Sequence, residues 1–311
     1  MARKSEHGVE AVVTQLCEPR CRHAVMVIAR LVLVLVISLA VTSATEPGRR
    51  WLHFIDKSWL GERVMDTVAR LSTTEDWTTA ASLRSGQDYG WFGAAGLPVR
   101  IAHALGEAGT PTANTLGAAR RAYDAGFRLV EVDLVQENGE LRCQHDPGPH
   151  SELVKDGCTF ETLLDTLPAD VWIVLDIKTD FVTVGQRIVD RVKGSANARR
   201  LVFQLYRPED FALFNTWQAQ APLPGPILTT YRAHRRMEHV AAQVPRIGIQ
   251  VVTVPLERLS ALTNHPTGAA VLVHPVHDCV AWSEALRRAS GVYSLSALRC
   301  DTERSASDRP S

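Results

Sequence analysis

Two stretches decide the fold: residues 127–134 read FRLVEVDL, and residues 171–178 read VWIVLDIK. Each is a short run of mostly apolar residues that ends in charged ones, which is the length of one strand. The second run lacks the polar alternation of a half-exposed sheet, as is typical of a strand that is covered on both faces. Together they predict two parallel strands whose carboxyl ends carry acidic side chains.

The same alternation of apolar runs and amphipathic stretches continues on both sides of these strands. The predicted strands are Val99–His103, Phe127–Leu134, Val171–Ile177, Leu201–Leu205, Pro226–Thr230, Ile249–Val254, Ala270–His274 and Val292–Leu295. Most of the intervals between them contain a candidate helix. Eight strands with intervening helices predict an α/β fold, a (β/α)8 barrel over residues 99–298, at the short end of the range for that fold.

A short insertion interrupts the alternation after the second strand. Residues 137–140 read ENGE, and Asn-Gly between apolar runs is a strong signal for a tight β-hairpin. A hairpin here would return the chain through Leu141–Cys143 and carry His145 over the mouth of the barrel. We therefore expect a small hairpin insertion after strand 2.

The N-terminal part differs from the rest of the chain. Residues 24–41 form an apolar run in which Arg30 is the only charge, so region 1–45 is predicted to hold a signal peptide or a membrane anchor. Both alternatives remain open, and both place the barrel outside the cytoplasm, secreted or membrane-anchored. Residues 46–98 are predicted to be a helical and loop lead-in, an N-terminal helical extension, and residues 299–311 a disordered tail.

The amino-acid composition gives information on binding partners and on disulfides. Lys plus Arg equals Asp plus Glu, 34 each, so nothing in the charge balance favours nucleic-acid binding. The exported part has four cysteines, Cys143, Cys158, Cys279 and Cys300. Disulfides Cys143–Cys158 and Cys279–Cys300, or four buried thiols, are both compatible with that number.

The acidic residues suggest a cation site. Side chains alternate along a strand, so Glu131 and Asp133 share a face, and Asp176 ends the neighbouring strand. Inward carboxylates require a positive partner, and oxygen ligands suit Mg²⁺ or Ca²⁺. Ion pairing with Lys or Arg is the alternative, and Lys178 follows Asp176 at strand spacing.

Histidines at strand ends suggest proton transfer. His103 ends the first strand, His145 follows the hairpin, and the carboxyl ends of barrel strands are where barrel enzymes place their sites. Histidine is suited to acid–base chemistry at neutral pH. His274 and His277, near the seventh strand, are secondary candidates for a substrate pocket.

These residues follow the order of a known family's motifs. The segments that carry the resemblance are Ile101-Ala102-His103, Asn114-Thr115, Glu131-Val132-Asp133, His145-Asp146-Pro147 and Asp176-Ile177-Lys178. In them the chain resembles glycerophosphodiester phosphodiesterases, strongly over residues 99–180 and more weakly to residue 296. The resemblance implies a metal-dependent phosphodiester hydrolase that acts on small-molecule or lipid phosphodiesters, such as glycerophosphodiesters or lysophospholipid headgroups, with possible membrane association.

The resemblance also implies roles. His103 and His145 would be the catalytic histidines, and Glu131, Asp133 and Asp176 would hold the metal ion. Lys178 would contact the phosphate of the substrate, and Asn114 matches a polar position that supports the site.

Two departures from the family pattern leave alternatives open. Ala104 stands where the family has an arginine after the first histidine, which removes a bidentate phosphate contact. Asp176 is one methylene shorter than the usual glutamate. The missing arginine makes a catalytically inactive lipid-binding barrel one alternative. The other is a phospholipase D-like lyase, similar in fold and site, that forms a cyclic phosphate.

Overall fold

The computed structural model describes residues 76–146, 158–231, 237–265 and 267–300. The apolar segment 24–41, the first part of the lead-in and residues 301–311 lie outside this range, so the predictions for them stay predictions. Within the described ranges, no helix combines the length and apolarity that crossing a membrane requires.

The described chain forms one sheet of nine strands that closes on itself. The strands are β1 (Val99–Ala102), β2 (Leu129–Glu137), β3 (Glu140–Cys143), β4 (Trp172–Ile177), β5 (Leu201–Leu205), β6 (Ile227–Thr229), β7 (Val251–Val254), β8 (Ala270–Val276) and β9 (Gly291–Ser294). Eight of them are parallel in the order β1-β9-β8-β7-β6-β5-β4-β2, and β1 also pairs with β2. This confirms the predicted (β/α)8 barrel.

Helices cover the outside of the barrel and its amino-terminal entrance. The α-helices are α1 (Gly90–Ala94), α2 (Leu116–Asp124), α3 (Phe160–Thr166), α4 (Phe181–Val192), α5 (Asp210–Gln218), α6 (Met237–Ile247), α7 (Leu259–Thr263) and α8 (Cys279–Leu286). Their buried faces pack on the outward side chains of the strands in one large apolar core. A second cluster fills the barrel, and Trp91 of α1 belongs to it together with Val99 and Leu129.

The hairpin predicted after the second strand is present. Strands β2 and β3 pair in an antiparallel manner, with Glu137 opposite Glu140. Asn138 (φ 49°) and Gly139 (φ 81°) form the two-residue turn, and both adopt the positive φ that such a turn requires. At the end of β3, Cys143 forms a disulfide with Cys158, just before α3.

The second cysteine pair forms a disulfide as well. Cys279, the first residue of α8, bonds to Cys300 near the end of the described chain. All four cysteines in the described part of the chain are therefore paired, and the alternative of four buried thiols is wrong.

Candidate active site

The three carboxylates predicted as metal ligands lie together. Asp133 of β2 pairs in register with Asp176 of β4, and Glu131 lies one side-chain repeat below Asp133 on the same inward face. One ligand oxygen from each residue can be chosen so that all three lie within 4.8 Å of one another. All three side chains are buried, so the site is a compact, strongly acidic cluster.

Lys178 partly neutralises this cluster. Its Nζ lies 2.8 Å from Oδ1 of Asp133 and 2.5 Å from Oδ2 of Asp176. Because these groups have little access to water, their attraction is screened less than at the surface. The ion-pair alternative raised by the sequence is thus realised at two carboxylates, and the cluster keeps a formal excess of negative charge.

Neutral donors orient the remaining oxygens. Asn114 Nδ2 donates to Oδ2 of Asp133 at 2.7 Å, and the Asp133 backbone N–H donates to Oδ1 of Asn114 at 3.1 Å. The Ala104 backbone N–H donates to Oε2 of Glu131 at 2.6 Å. Ala104 (φ 49°) and Leu105 (φ 59°) both adopt the left-handed conformation, which is costly for residues with a Cβ atom. The first βα loop is therefore bent in a way that directs an N–H group at Glu131.

The acidic groups differ in how readily they ionise. Burial raises the pKa of Glu131 well above its usual value, and the charges of Asp133 and Asp176 raise it further. Burial also acts to raise the pKa of Asp133, but the Lys178 ammonium and other favourable contacts outweigh it and lower the pKa. In the same way, the carboxylates outweigh the burial of Lys178 and raise its pKa. Without a cation, Glu131 thus binds a proton more readily than Asp133 does.

Two oxygens of the cluster remain open. Oε1 of Glu131 and Oδ1 of Asp176 are buried and accept no hydrogen bond within the described part of the chain. Buried acceptors of this kind are usually satisfied by protein, water or an ion. Three converging carboxylates with open oxygens suit a hard divalent cation, so Glu131, Asp133 and Asp176 fit the ion expected from the sequence.

A group of histidines forms the other side of the mouth. His103, directly after β1, brings its Nε2 to 3.0 Å from Nε2 of His274 on β8. The ring of His277 stacks near His103, with 5.9 Å between the ring centroids and 19° between the planes. Tyr293 of β9 packs its ring edge-to-face against His274 at 4.7 Å. Neighbouring rings therefore fix the position of His274.

The histidine pair is uncharged at neutral pH. Burial lowers the pKa of His103 to about 4, although the charge of Asp133 acts in the opposite direction. Burial lowers the pKa of His274 well below its usual value, and the nearby His103 and Lys178 lower it further. Both rings are therefore neutral, and each has one N–H and one lone pair.

His145 lies apart from this pair. Its side chain is 54% exposed, and its Nδ1 is 2.9 Å from Oδ1 of Asp146. Its charge contributes to the pKa values of both His103 and His274, so it is at the same mouth. The structure thus gathers His103 with His274 in direct contact, whereas His145 approaches from the solvent side.

The structure gives two residues a larger part in the site than the sequence predicts. His274, a secondary candidate in the sequence, contacts His103 directly. Tyr293 was not singled out, although alternation along β9 places it on the inward face with Gly291. That alternation could have identified Tyr293 from the sequence, but nothing local indicates that β8 and β1 lie near each other.

The fold resembles that of solved structures, whereas no protein-family model and no curated protein matches the sequence. A glycerophosphodiester phosphodiesterase structure from Thermotoga maritima is 17% identical, with a TM-score of 0.51, and the match covers 63% of this chain and 93% of that one. A glycerophosphodiester phosphodiesterase from Parabacteroides distasonis is 14% identical, with 63% and 91% covered and a TM-score of 0.48.

A third structure is a phosphodiesterase from Oleispira antarctica in complex with the product sn-glycerol-3-phosphate. It is 16% identical, covers 64% of this chain and 93% of that chain, and has a TM-score of 0.46. At these identities the likeness concerns the fold alone. The chain therefore has the barrel fold of glycerophosphodiester phosphodiesterase structures.

Proposed function

We propose that this chain is a phosphodiester hydrolase that depends on a divalent cation, Mg²⁺ or Ca²⁺, and acts on glycerophosphodiesters or lysophospholipid headgroups. The observation that carries the proposal is the acidic cluster. It has two open, buried oxygens and an adjacent lysine at the carboxyl end of the barrel. The Thermotoga maritima protein of the same fold is a glycerophosphodiester phosphodiesterase, which matches this substrate class.

The cluster would hold the ion through Glu131, Asp133 and Asp176. A bound divalent ion supplies positive charge that stabilises the phosphoryl oxygens as negative charge develops on them. Lys178 adds a second positive charge at the same place, and Asn114 keeps the Asp133 carboxylate oriented. Electrostatic stabilisation of this kind is usually the largest contribution to catalysis.

Two histidines would move the protons. A neutral imidazole can accept a proton, so His103, whose pKa is about 4, suits the base that activates the attacking hydroxyl. His145 is exposed at the same mouth and suits the acid that protonates the leaving alcohol.

A panel assay tests the proposal. Purified protein is incubated with glycerophosphodiesters and lysophospholipids in the presence of Mg²⁺, Ca²⁺ or a chelator, and release of the alcohol is measured. We expect turnover that the chelator abolishes. His103→Ala and His145→Ala should each lower kcat/KM by about 100-fold or more. Full activity in both variants would rule out the assignment of the histidines.

The product separates hydrolysis from the lyase alternative. If water attacks phosphorus, phosphorus NMR shows a phosphomonoester from the start of the reaction. If a hydroxyl of the substrate attacks, a cyclic phosphate accumulates first. We expect the monoester, and a persistent cyclic product would assign the lyase reaction to the same site.

One observation favours a second candidate, a barrel that binds a lipid without catalysis. Lys178 already pairs with Asp133 and Asp176, so part of the negative charge is balanced without a cation. Calorimetry decides between the two candidates. Hydrolase function predicts that Mg²⁺ or Ca²⁺ binds to the wild type and not to Asp133→Ala, whereas the inactive barrel predicts binding to neither.

We also propose that the barrel acts outside the cytoplasm. The two disulfides, Cys143–Cys158 and Cys279–Cys300, support this location because such bonds persist in oxidising compartments. Fractionation of cells that express the full chain, with alkylation of free thiols, tests it. Barrel in the cytoplasmic fraction with four reactive thiols would exclude export.

A further inference from the structure

The contact between His103 and His274 is not an ordinary hydrogen bond. The two Nε2 atoms are 3.0 Å apart, but the ring centroids are only 4.3 Å apart and the planes meet at 67°. A straight N–H···N bond would place the centroids about 5 Å apart, because each ring extends beyond its nitrogen. The bond is therefore bent and weak, so each Nε2 atom can exchange the other for a better-aligned partner.

The Nδ1 atoms of the two rings indicate which kind of ligand the histidine pair can bind. Nδ1 of His103 and Nδ1 of His274 are buried, and neither has a hydrogen-bond partner in the described part of the chain. Since one proton lies between the Nε2 atoms, the ring that accepts it must carry its own proton on Nδ1. One buried N–H thus has no acceptor at rest, which is an unfavourable arrangement.

This arrangement disfavours a metal ion and favours an oxygen. An ion bound to both Nε2 atoms would force protons onto both Nδ1 atoms, where two buried N–H groups would lack acceptors. Histidines that bind metals normally donate this second N–H to a partner. An anionic oxygen instead needs an N–H at Nε2, and it is a better acceptor than a bent imidazole lone pair.

One positive charge beside His274 favours an anionic ligand there. Lys178 lies close enough to His274 for its charge to act on that ring, and it is the side chain expected to contact the phosphate. His274 is partly exposed at the mouth, so a ligand can reach it. Tyr293 packs against the ring and limits its rotation.

We propose that His274 is a substrate-contacting residue whose Nε2–H donates to an oxygen of the phosphodiester and, in doing so, releases Nε2 of His103. Before the substrate binds, the Nε2–H of His274 donates to the lone pair on Nε2 of His103. When the oxygen takes over that N–H, the lone pair becomes available for the attacking hydroxyl. The base is thus freed by the substrate that it acts on. This inference rests on the proposed function for its substrate.

Kinetics of two variants test the contact. His274→Leu removes the donor and should raise KM for glycerophosphocholine by about 10-fold or more, the cost of losing a hydrogen bond to a charged group. His274→Gln keeps an N–H at similar reach and should recover most of that loss. His239→Leu, on the exposed face of α6 and outside the site, is the matched control and should leave KM within about twofold. Equal KM in wild type and His274→Leu would overturn the proposal.

Nitrogen NMR of histidine-labelled wild-type protein tests the same contact without turnover. Inorganic phosphate is added in the presence of Mg²⁺, and the ring nitrogens of His274 are followed. We expect the proton of His274 to be on Nε2 when phosphate is bound, with a shift at Nε2 of His103 as its partner is lost. Unchanged resonances of both rings at saturating phosphate would overturn the proposal, even if the variants fail to fold.

The two tests separate this inference from the proposed function. If no phosphodiester is hydrolysed but phosphate shifts the His274 nitrogens, the hydrolase assignment fails and the anion contact stands. If the wild type hydrolyses phosphodiesters and His274→Leu has an unchanged KM, the hydrolase assignment stands and the His274 contact is wrong.

Discussion

The acidic half of the mouth and its histidine half are built in different ways. Glu131, Asp133 and Asp176 come from β2 and β4, which pair over six consecutive residues. His103, directly after β1, and His274 of β8 are 171 residues apart in the sequence, and β9 lies between β1 and β8 in the sheet. The acidic half therefore depends on one pair of strands, and the histidine half depends on closure of the whole barrel.

The two halves also differ in how they are satisfied. Each acidic residue has at least one hydrogen bond or ion pair that fixes its orientation, from Ala104, Asn114 or Lys178. The paired histidines have a bent contact with each other, and among the described residues their Nδ1 atoms have no hydrogen-bond partner. A fixed half suits an ion with strict ligand requirements, whereas a loosely bonded half can exchange its partner for a substrate.

The largest effect should come from the acidic half. Asp133→Asn keeps the size of the side chain but removes a charge from the cation site, and it should lower kcat/KM by about 10²- to 10³-fold. Calorimetry should show weaker Mg²⁺ binding in the same variant. Asp190→Asn, on the exposed face of α4, is the control and should leave both quantities unchanged. Cation-dependent activity that survives in Asp133→Asn would contradict the assignment of this half.

Lys178 separates charge balance from substrate contact. Lys178→Met removes a positive charge 2.8 Å from Asp133, so the divalent ion should bind several-fold more tightly. Turnover should nevertheless fall by about 10- to 100-fold, because the phosphate loses a charged contact. Calorimetry and steady-state kinetics measure the two effects, and Lys193→Met on the surface is the control. A parallel fall in ion affinity would mean that Lys178 does not compete with the ion.

The two disulfides test whether turnover depends on the position of His145, which lies outside the pair of His103 and His274. Cys143→Ser with Cys158→Ser opens a 15-residue loop that carries His145, and it should cost about 3 kcal/mol of stability. Turnover should fall as well, because His145 is no longer held near the mouth. Cys279→Ser with Cys300→Ser should destabilise the protein to a similar extent but leave turnover intact at a temperature where both variants are folded. Equal loss of turnover in the two double variants would contradict a specific effect of the Cys143–Cys158 disulfide on His145.

The smallest expected effect is on the pH dependence of stability, which His103 and Glu131 should change in opposite directions. The folded pKa of His103 is about 4 against 6.5 when unfolded, so the unfolded chain binds more protons between these values and stability falls as pH drops through them. The loss is about 2 kcal/mol at most, since the ring is partly exposed. His103→Asn should remove it in urea unfolding curves measured from pH 7 to 4.

Glu131 acts in the other direction. Its folded pKa is raised, so its contribution is present below the usual value of 4.5 and is lost as pH rises above that value. Glu131→Gln should flatten that part of the stability profile. Added Mg²⁺ should do the same in the wild type, because a bound cation replaces the proton. A profile that neither change affects would argue against a protonated Glu131.

Local patterns were sufficient for most of the fold. The eight parallel strands, the hairpin at Asn138-Gly139 and the convergence of Glu131, Asp133 and Asp176 all follow from residues that are near in sequence or on consecutive strands. Strand periodicity and turn chemistry act over a few residues, so a sequence shows them directly. The same reasoning supplied Lys178 as a partner for Asp176.

The sequence by itself determined the barrel and its acidic half. Side chains alternate along β2 and β4, and these strands are neighbours, so Asp133 and Asp176 must lie side by side on the inward face. Only the tertiary structure decided that His103 contacts His274 while His145 stays exposed. That contact forms when β1 pairs with β9 and β2 and closes the barrel. Closure brings together residues from opposite ends of the barrel segment, and no local pattern specifies which of them will be in contact.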